Sequence, residues 1–313
     1  MQTDTGYERA QIFLRAFQQT KGISAKFNLL RIATSNTAPE QRQVFRLTAP
    51  GFDYALKFDL TPDGPQAITA DFAALSDLTT LAIRPVYCDP QHRFFVTAHY
   101  DWPSANQIAR DQKRPTPQPT LFHRAGQWLH TLHNTQPATP APFWPKRHLE
   151  NLKPLIQALP ASPLKTVARH RIETLRAEAA PLRGLTSSKT RAHGDFNGGN
   201  LLIGPDRVLG LDFSLTCERL AVFDVVDFLT DLDPRFDLPL DQVGPSGIIE
   251  NHLSAFCDIY DPNLDPRLLS FLIKQRLLAH WLALAARPAP LSLTRQRKFD
   301  RVSARLEVAF ADQ

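Results

Sequence analysis

The stretch from His193 to Phe213 constrains this chain more than any other. It reads His-Gly-Asp-Phe-Asn-Gly-Gly-Asn-Leu-Leu-Ile-Gly-Pro-Asp-Arg-Val-Leu-Gly-Leu-Asp-Phe. Two short apolar runs, Leu201-Leu202-Ile203 and Val208-Leu209-Gly210-Leu211, flank Gly204-Pro205-Asp206-Arg207. Apolar runs separated by a few residues with Gly and Pro predict a β-hairpin. Pairing it about Asp206 sets Asn200 opposite Asp212 at the open end, where facing Cβ atoms lie roughly 4.5–5.5 Å apart. An amide oxygen and a carboxylate at that spacing suit one hard cation. Mg²⁺ fits, because it takes few protein ligands and fills its shell with water and phosphate oxygens. Asp195 lies five residues before Asn200, on a loop loosened by Gly194, Gly198 and Gly199. A carboxylate there is placed to accept the proton of a hydroxyl that attacks a metal-bound phosphate.

The N-terminal third reads as a meander. Ile12, Phe13, Leu14 and Phe17 predict an amphipathic helix over 7–21, stopped near Gly22. Strands follow at 27–34, 43–48 and 54–58, with turn-forming residues between them. The third strand carries Lys57 between apolar neighbours. A helix over 66–80 then shows an apolar stripe of Ile68, Phe72, Leu75 and Leu78, with Asp71 on the same face. An acid on an apolar stripe needs a partner, since a buried unpaired charge is costly. Lys57 is the nearest candidate. A further strand pair flanks the turn Asp89-Pro90-Gln91-His92.

Beyond Pro103 the pattern turns helical. Leu121, Ala125, Trp128, Leu129 and Leu132 form one stripe. The proline-rich stretch 135–165 reads as a loop-rich crossing anchored by Phe143, Trp144 and Leu149. Helices are expected at 164–180, 222–232, 247–260, 266–286 and 293–309. No internal repeat is apparent. The whole is an α+β chain, a small antiparallel meander with one main helix followed by a larger helical part carrying a hairpin.

At 313 residues, 43% apolar and 21% charged, the composition is that of a soluble globular protein able to bury a core. The three cysteines, Cys88, Cys217 and Cys257, are scattered and fit neither a zinc site nor a disulfide framework. Each is expected to be a small buried apolar residue. The first nine residues lack the basic and apolar regions of a signal peptide. The longest apolar run, 281–286, is too short to cross a bilayer, so a cytoplasmic protein with no membrane partner is expected. A net charge of +5 invites a nucleic-acid reading, but the distribution opposes it. Between Asp224 and Asp265 stand ten acids against one base, Arg235. The bases gather at 146–191 and 287–305 without the interleaved aromatics of a stacking platform.

His193-Gly194-Asp195, Asn200, Leu211-Asp212-Phe213 and Asp224 twelve residues further on together resemble the aminoglycoside phosphotransferase and choline kinase-like family. The resemblance implies a two-lobed protein-kinase-like fold, with an antiparallel-sheet N-lobe over 1–100 and a mainly helical C-lobe over 101–313. It implies that Asp195 is the catalytic base and that Asn200 and Asp212 hold Mg²⁺. His193 packs structurally, and Asp224 braces the catalytic loop from the start of a helix. Lys57, oriented by Asp71, faces nucleotide phosphates. Ala98 and Tyr100, in a hinge Ala98-His99-Tyr100-Asp101, bond adenine through backbone groups. The donor is ATP, with GTP the other candidate, and the acceptor is a hydroxyl of a small molecule.

The acid-rich segment favours a cationic acceptor: an amine-bearing sugar, a choline-like alcohol or a thiamine-like compound. Leu132-His133 also recurs in the family as a structural pair, with His133 as a base the sharper alternative. Gly194 stands where protein kinases often carry an arginine that reads activation-loop phosphorylation, which argues against a regulated protein kinase. Two departures stand out. The family usually has Glu where Asp71 lies, and loop 35–42 contains no glycine, leaving the hydroxyls of Ser35 and Thr37 as possible substitutes. These departures motivate a rival reading, a nucleotide-binding pseudokinase scaffold without transfer activity. The oligomeric state leaves no mark in the sequence.

Overall fold

The computed structural model describes residues 4–35, 37–111, 118–237, 239–261, 263–287 and 289–311. Asn36 of loop 35–42 and residues 1–3 lie outside them. The chain opens with α1 (Thr5–Lys21), β1 (Asn28–Thr34), β2 (Arg42–Ala49), β3 (Phe52–Asp59), α2 (Gly64–Asp77), β4 (Pro85–Cys88) and β5 (Phe94–Ala98). Next come α3 (Ala105–Arg110), α4 (Gln118–His133), β6 (Thr139–Pro142), α5 (Pro145–Glu150), α6 (Leu152–Gln157), α7 (Pro163–Ala179) and β7 (Thr186–Ala192). Then follow β8 (Leu201–Ile203), β9 (Val208–Gly210), β10 (Cys217–Leu220), α8 (Val222–Leu232), α9 (Glu250–Tyr260), α10 (Pro266–Ala285) and α11 (Leu293–Ala309). Two compact units result, one of residues 1–102, 193–195 and 202–216, the other of 103–192, 196–201 and 217–313. The first unit therefore reaches past residue 100 and takes in the segments around His193 and Asp212.

In the first unit the Asp4 side chain caps α1, and Gly22 ends it in the left-handed region (φ 65°). The five strands form one antiparallel sheet in the order β1-β2-β3-β5-β4. Strand alternation sends Phe45, Leu47, Leu56, Phe58, Phe94 and Val96 to one face, where they pack with Phe13 and Phe17 of α1. Each buried phenylalanine contributes about 2–3 kcal/mol relative to exposure. The same alternation turns Lys57 to the other face, aligned with Val44 on β2 and Phe95 on β5. Buried Ile68, Asp71, Ala74 and Leu75 form the inner side of α2, and Phe72 meets Phe95 at 6.0 Å.

The hairpin β8–β9 forms as expected but in a different register. The Gly204 N–H donates to the Arg207 carbonyl at 3.0 Å, so the turn is Pro205-Asp206 and its midpoint falls between them. The pairing about Asp206 that set Asn200 opposite Asp212 is not the one formed. A proline at the first turn position fixes the tighter turn. The outer strand is tied down at Gly210, whose N–H donates to Leu81 (2.7 Å) and whose carbonyl accepts from Ile83 (3.3 Å).

In the second unit the stripe of α4 is buried as expected. Three strands escaped the sequence reading: β6, β7 and β10, which form a sheet in the order β10-β7-β6. The proline-rich crossing is also more regular than expected, holding α5 and α6 as well as β6. α10 is long and apolar enough to span a membrane by length and composition alone, yet 61% of its apolar window is buried within the protein. Cys217 is exposed and Cys88 and Cys257 are partly so, which corrects the expectation of buried thiols. Cys217 lies on β10 with its neighbour Glu218, near the strand's solvated end.

Candidate active site

The first unit assembles a compact ionic cluster around Lys57. Its ammonium donates to Asp71 Oδ2 at 2.7 Å and to Asp212 Oδ1 at 2.9 Å. The expected Lys57–Asp71 pair is formed, despite the shorter reach of aspartate. The direct bond to Asp212 was not foreseen. Asp71 is 1% exposed, and its second oxygen accepts the Phe213 N–H at 2.8 Å. One short carboxylate thus fixes both the lysine and the backbone beside Asp212. Burial works against the Lys57 ammonium, but Asp71 and then Asp212 outweigh it and raise its pKa above the ordinary lysine value. For Asp71 burial is the larger influence and raises the pKa, with Lys57 pulling the other way.

Asp212 is built to stay ionised. Burial opposes its charge, yet Lys57 and the Ser214 hydroxyl, which donates to Oδ1 at 2.8 Å, bring its pKa down to about 2. Lys57 and Ser214 both use Oδ1, and Oδ2 takes neither. Its backbone lies in the left-handed region (φ 56°), a conformation that costs a non-glycine residue on the order of 1 kcal/mol and needs surrounding support. The Phe213 N–H bond to Asp71 supplies part of that support. A half-exposed, ionised carboxylate with hard oxygens suits Mg²⁺. Among the described residues no three His, Cys, Asp or Glu side chains gather as a metal-ligating group, so any ion there depends on few protein ligands.

His193 holds the two loops together. It is buried, its Nε2 donates to the Leu211 carbonyl at 3.0 Å, and its ring lies 4.6 Å from that of Phe213. Its Nδ1 then accepts the Asp195 N–H at 3.4 Å, which fixes the tautomer. Gly194 allows the approach. It has φ 88°, and a Cβ there would sit 1.9 Å from the Leu215 carbonyl oxygen. Asp195 follows with an exposed side chain.

At the expected hinge the Ala98 N–H donates to Arg84 (2.8 Å) and the His99 N–H to Asp53 (3.1 Å). Ala98 is the last residue of β5, and its N–H is committed to the Arg84 carbonyl just before β4. The Tyr100 ring meets Trp102 at 5.0 Å, with the Arg207 guanidinium over both. On the face that carries Lys57, Leu30 is 59% exposed and lies in register with Arg46, which pairs with Ala55. Sequence reasoning passed over this exposed leucine. Its signal was a β1 sequence, Asn-Leu-Leu-Arg-Ile-Ala-Thr, apolar on both faces. In loop 35–42 the Ser35 hydroxyl contacts Thr37 Oγ1 (3.1 Å) and accepts the N–H of Thr37 and Ala38 (3.2 and 3.3 Å). It serves the turn itself.

The second unit contains Asn200 and Asp224. Asn200 closes a turn with its N–H on the Asn197 carbonyl at 3.0 Å. The Gly198 N–H donates to Asp231 at 3.3 Å, and its carbonyl accepts from Asn106 at 2.9 Å. Asp231 was not singled out in the sequence. Asp224 lies in the first turn of α8, fully buried, bonded to Arg219 and to His133 Nε2 at 3.0 Å. His133 Nδ1 faces the Tyr260 hydroxyl at 2.8 Å, so His133 is enclosed in a structural network. The acid-rich segment is also mostly paired: Asp227 with Arg219 and Arg276, Asp231 with Arg235, Asp233 with His252 and Arg305. Most of these bases come from outside the segment. The acid count therefore does not translate into an open anionic wall.

A family model described as the phosphotransferase enzyme family matches residues 39–246. A search of curated proteins finds no match. Among solved structures, a choline/ethanolamine kinase family protein from Mesorhizobium loti is 16% identical with a TM-score of 0.63, covering 96% of this chain and 95% of that one. The amicoumacin kinase hAmiN, solved in complex with AMP-PNP, Ca²⁺ and Ami, is 15% identical with a TM-score of 0.56 over 94% and 92%. The choline kinase LicA from Streptococcus pneumoniae is 12% identical with a TM-score of 0.59 over 94% and 98%. At these identities the likeness establishes the fold, an α+β kinase-like architecture.

Proposed function

Since the chain belongs to the phosphotransferase enzyme family, we propose that it transfers the γ-phosphate of ATP to a hydroxyl of a small molecule. The observation that carries this reading is the Lys57 ammonium held between Asp71 and Asp212, in the same compact unit as His193 and Asp195. In this reading Lys57 exchanges Asp212 for nucleotide phosphates, while Asp71 keeps it oriented. Val44 and Ala55, on the sheet face that carries Lys57, offer apolar contact to the base. Asp212 and Asn200 would hold Mg²⁺, which offsets charge on the phosphates when bound. Asp195 accepts the proton as the acceptor oxygen bonds to phosphorus, and the nucleoside diphosphate leaves. Such catalysis is mostly orientation and electrostatic stabilisation.

The test is nucleotide binding with and without Mg²⁺, followed by phosphate transfer across a panel of alcohols, amino-alcohols and aminoglycosides. Asp195→Ala is expected to abolish turnover with nucleotide affinity nearly intact, and Asp212→Ala to weaken Mg-nucleotide binding. Equal turnover in wild type and the Asp195 variant would overturn the assignment. A nucleotide-binding scaffold without transfer is the second reading, favoured by the glycine-free turn whose Ser35 hydroxyl is occupied internally. Binding without transfer to any acceptor would support it. The cationic acceptor expected from the sequence keeps less of its support, because six of the ten acids of the segment, Asp224, Asp227, Asp231, Asp233, Asp237 and Asp265, are ion-paired.

A further inference from the structure

The turn Asn197-Gly198-Gly199-Asn200 has no side chain at its two central positions with which to anchor itself. Its own bonds close it: the Asn200 N–H donates to the Asn197 carbonyl at 3.0 Å and the Gly199 N–H to Asn197 Oδ1 at 2.8 Å. Two further bonds reach it from distant parts of the second unit. The Gly198 carbonyl accepts the Asn106 N–H at 2.9 Å, and the Gly198 N–H donates to Asp231 Oδ2 at 3.3 Å. Asn106 is the second residue of α3, so its N–H is one of those that have no partner within a helix. Here it is spent on the turn.

The packing is close on both sides. A Cβ at position 198 would lie 2.5 Å from Asn106 Oδ1 and 2.9 Å from Leu232 Cδ1, so only glycine lets α3 and the end of α8 approach the turn. Asp231 stands beside Leu232 in the last turn of α8 and divides its two oxygens. Oδ1 accepts from the Arg235 guanidinium at 2.7 Å, while Oδ2 takes a peptide N–H thirty-three residues earlier in the chain. An acid serving only the helix surface turns both oxygens to cations, as Asp227 does with Arg219 and Arg276. Asp231 spends one on the turn. Asn106, the turn, Asp231 and Arg235 all belong to the second unit.

We propose that Asp231, itself held by Arg235, is a positioning residue for Asn200: by fixing Gly198 it sets the direction of the amide assigned above to Mg²⁺. It acts through the turn and does not touch the ion. The proposal rests on the phosphotransferase reading and deepens it by naming what sets the affinity of one metal ligand. Loss of a restraint behind a ligand typically weakens metal binding by tenfold or more.

The test is calorimetric binding of a non-hydrolysable ATP analogue across a Mg²⁺ titration. Asp231→Ala should raise the Mg²⁺ concentration for half-maximal binding about tenfold and leave metal-free nucleotide affinity unmoved. Asp231→Asn, which keeps an acceptor oxygen for Gly198, should recover most of that loss. Asp227→Asn, on the same helix, should lower thermal stability with the Mg²⁺ requirement unchanged. In the metal-free protein, hydrogen exchange at the Gly198 amide should quicken in Asp231→Ala while the α8 amides stay protected. Where Asp231→Ala does not fold, Arg235→Met frees the same carboxylate and should move the requirement in the same direction by less. A wild-type Mg²⁺ requirement in the variant that folds, or an equal rise in Asp227→Asn, overturns the proposal. Asn200→Ala separates the two levels. If it raises the requirement and the Asp231 variant does not, only the positioning role falls. If it leaves the requirement unmoved, the metal assignment of Asn200 falls and the proposal with it.

Discussion

Lys57 and Asp212, 155 residues apart in sequence, are in ion contact at 2.9 Å. Asp71 lies on the other side of the same ammonium at 2.7 Å, so one cation offsets two acids. Removing it leaves Asp71, which is almost fully buried, facing Asp212 with no counter-charge. Lys57→Met is expected to cost about 3 kcal/mol in denaturant unfolding and to weaken nucleotide binding. Unchanged stability would mean that Asp71 takes up a proton without penalty.

Asp71 also tests how the chain tolerates an acid shorter than the family's usual glutamate. Its two oxygens fit Lys57 and the Phe213 N–H together. Asp71→Glu adds a methylene in a buried position and is expected to destabilise by roughly 1–3 kcal/mol. It should also lower kcat/KM, because the Phe213 bond that supports the Asp212 backbone is displaced. A variant as stable and active as wild type would show that α2 shifts freely to absorb the extra length.

Gly194 is irreplaceable on two counts, its φ of 88° and the 1.9 Å contact that a Cβ would make with the Leu215 carbonyl oxygen. Backbone cannot yield as a side-chain tip can. Gly194→Ala is expected to lose on the order of 2 kcal/mol or more and to suppress turnover more strongly than nucleotide affinity, since Asp195 is the next residue. Calorimetry with a single-turnover assay measures both. Full turnover in this variant would count against a fixed role for Asp195.

The buried pair His133–Asp224 gives a pH prediction. Burial opposes the Asp224 carboxylate, but His133 and Arg219 hold its pKa far below the ordinary range. A depressed carboxylate pKa adds stability above the unfolded value, about 3.9, and that stability is lost as pH falls towards the folded value. Asp224→Asn is expected to cost roughly 3 kcal/mol at pH 7. The gap from wild type should narrow only below about pH 4. A gap that is flat from pH 7 to pH 3 would show that the charge of Asp224 contributes nothing.

The sequence by itself determined the features that depend on near neighbours. Period-two runs placed β1, β2, β3 and β5 within a residue or two, and period-3.6 stripes placed α4, α8, α10 and α11. The spacing from His193 to Asp224 marked the phosphotransferase motif. Where local preference misleads, the reading failed: Pro140 and Pro142 argue against a strand, yet β6 sits at a sheet edge where a missing N–H costs no ladder bond. β7, Thr-Ser-Ser-Lys-Thr-Arg-Ala, is too polar to announce itself. Tertiary structure alone decided which charges meet. Asp212 finds Lys57, Phe213 finds Asp71, and Asp224 and Asp227 of α8 find Arg219 and Arg276, because electrostatic partners are set by distance in space, which no local pattern encodes.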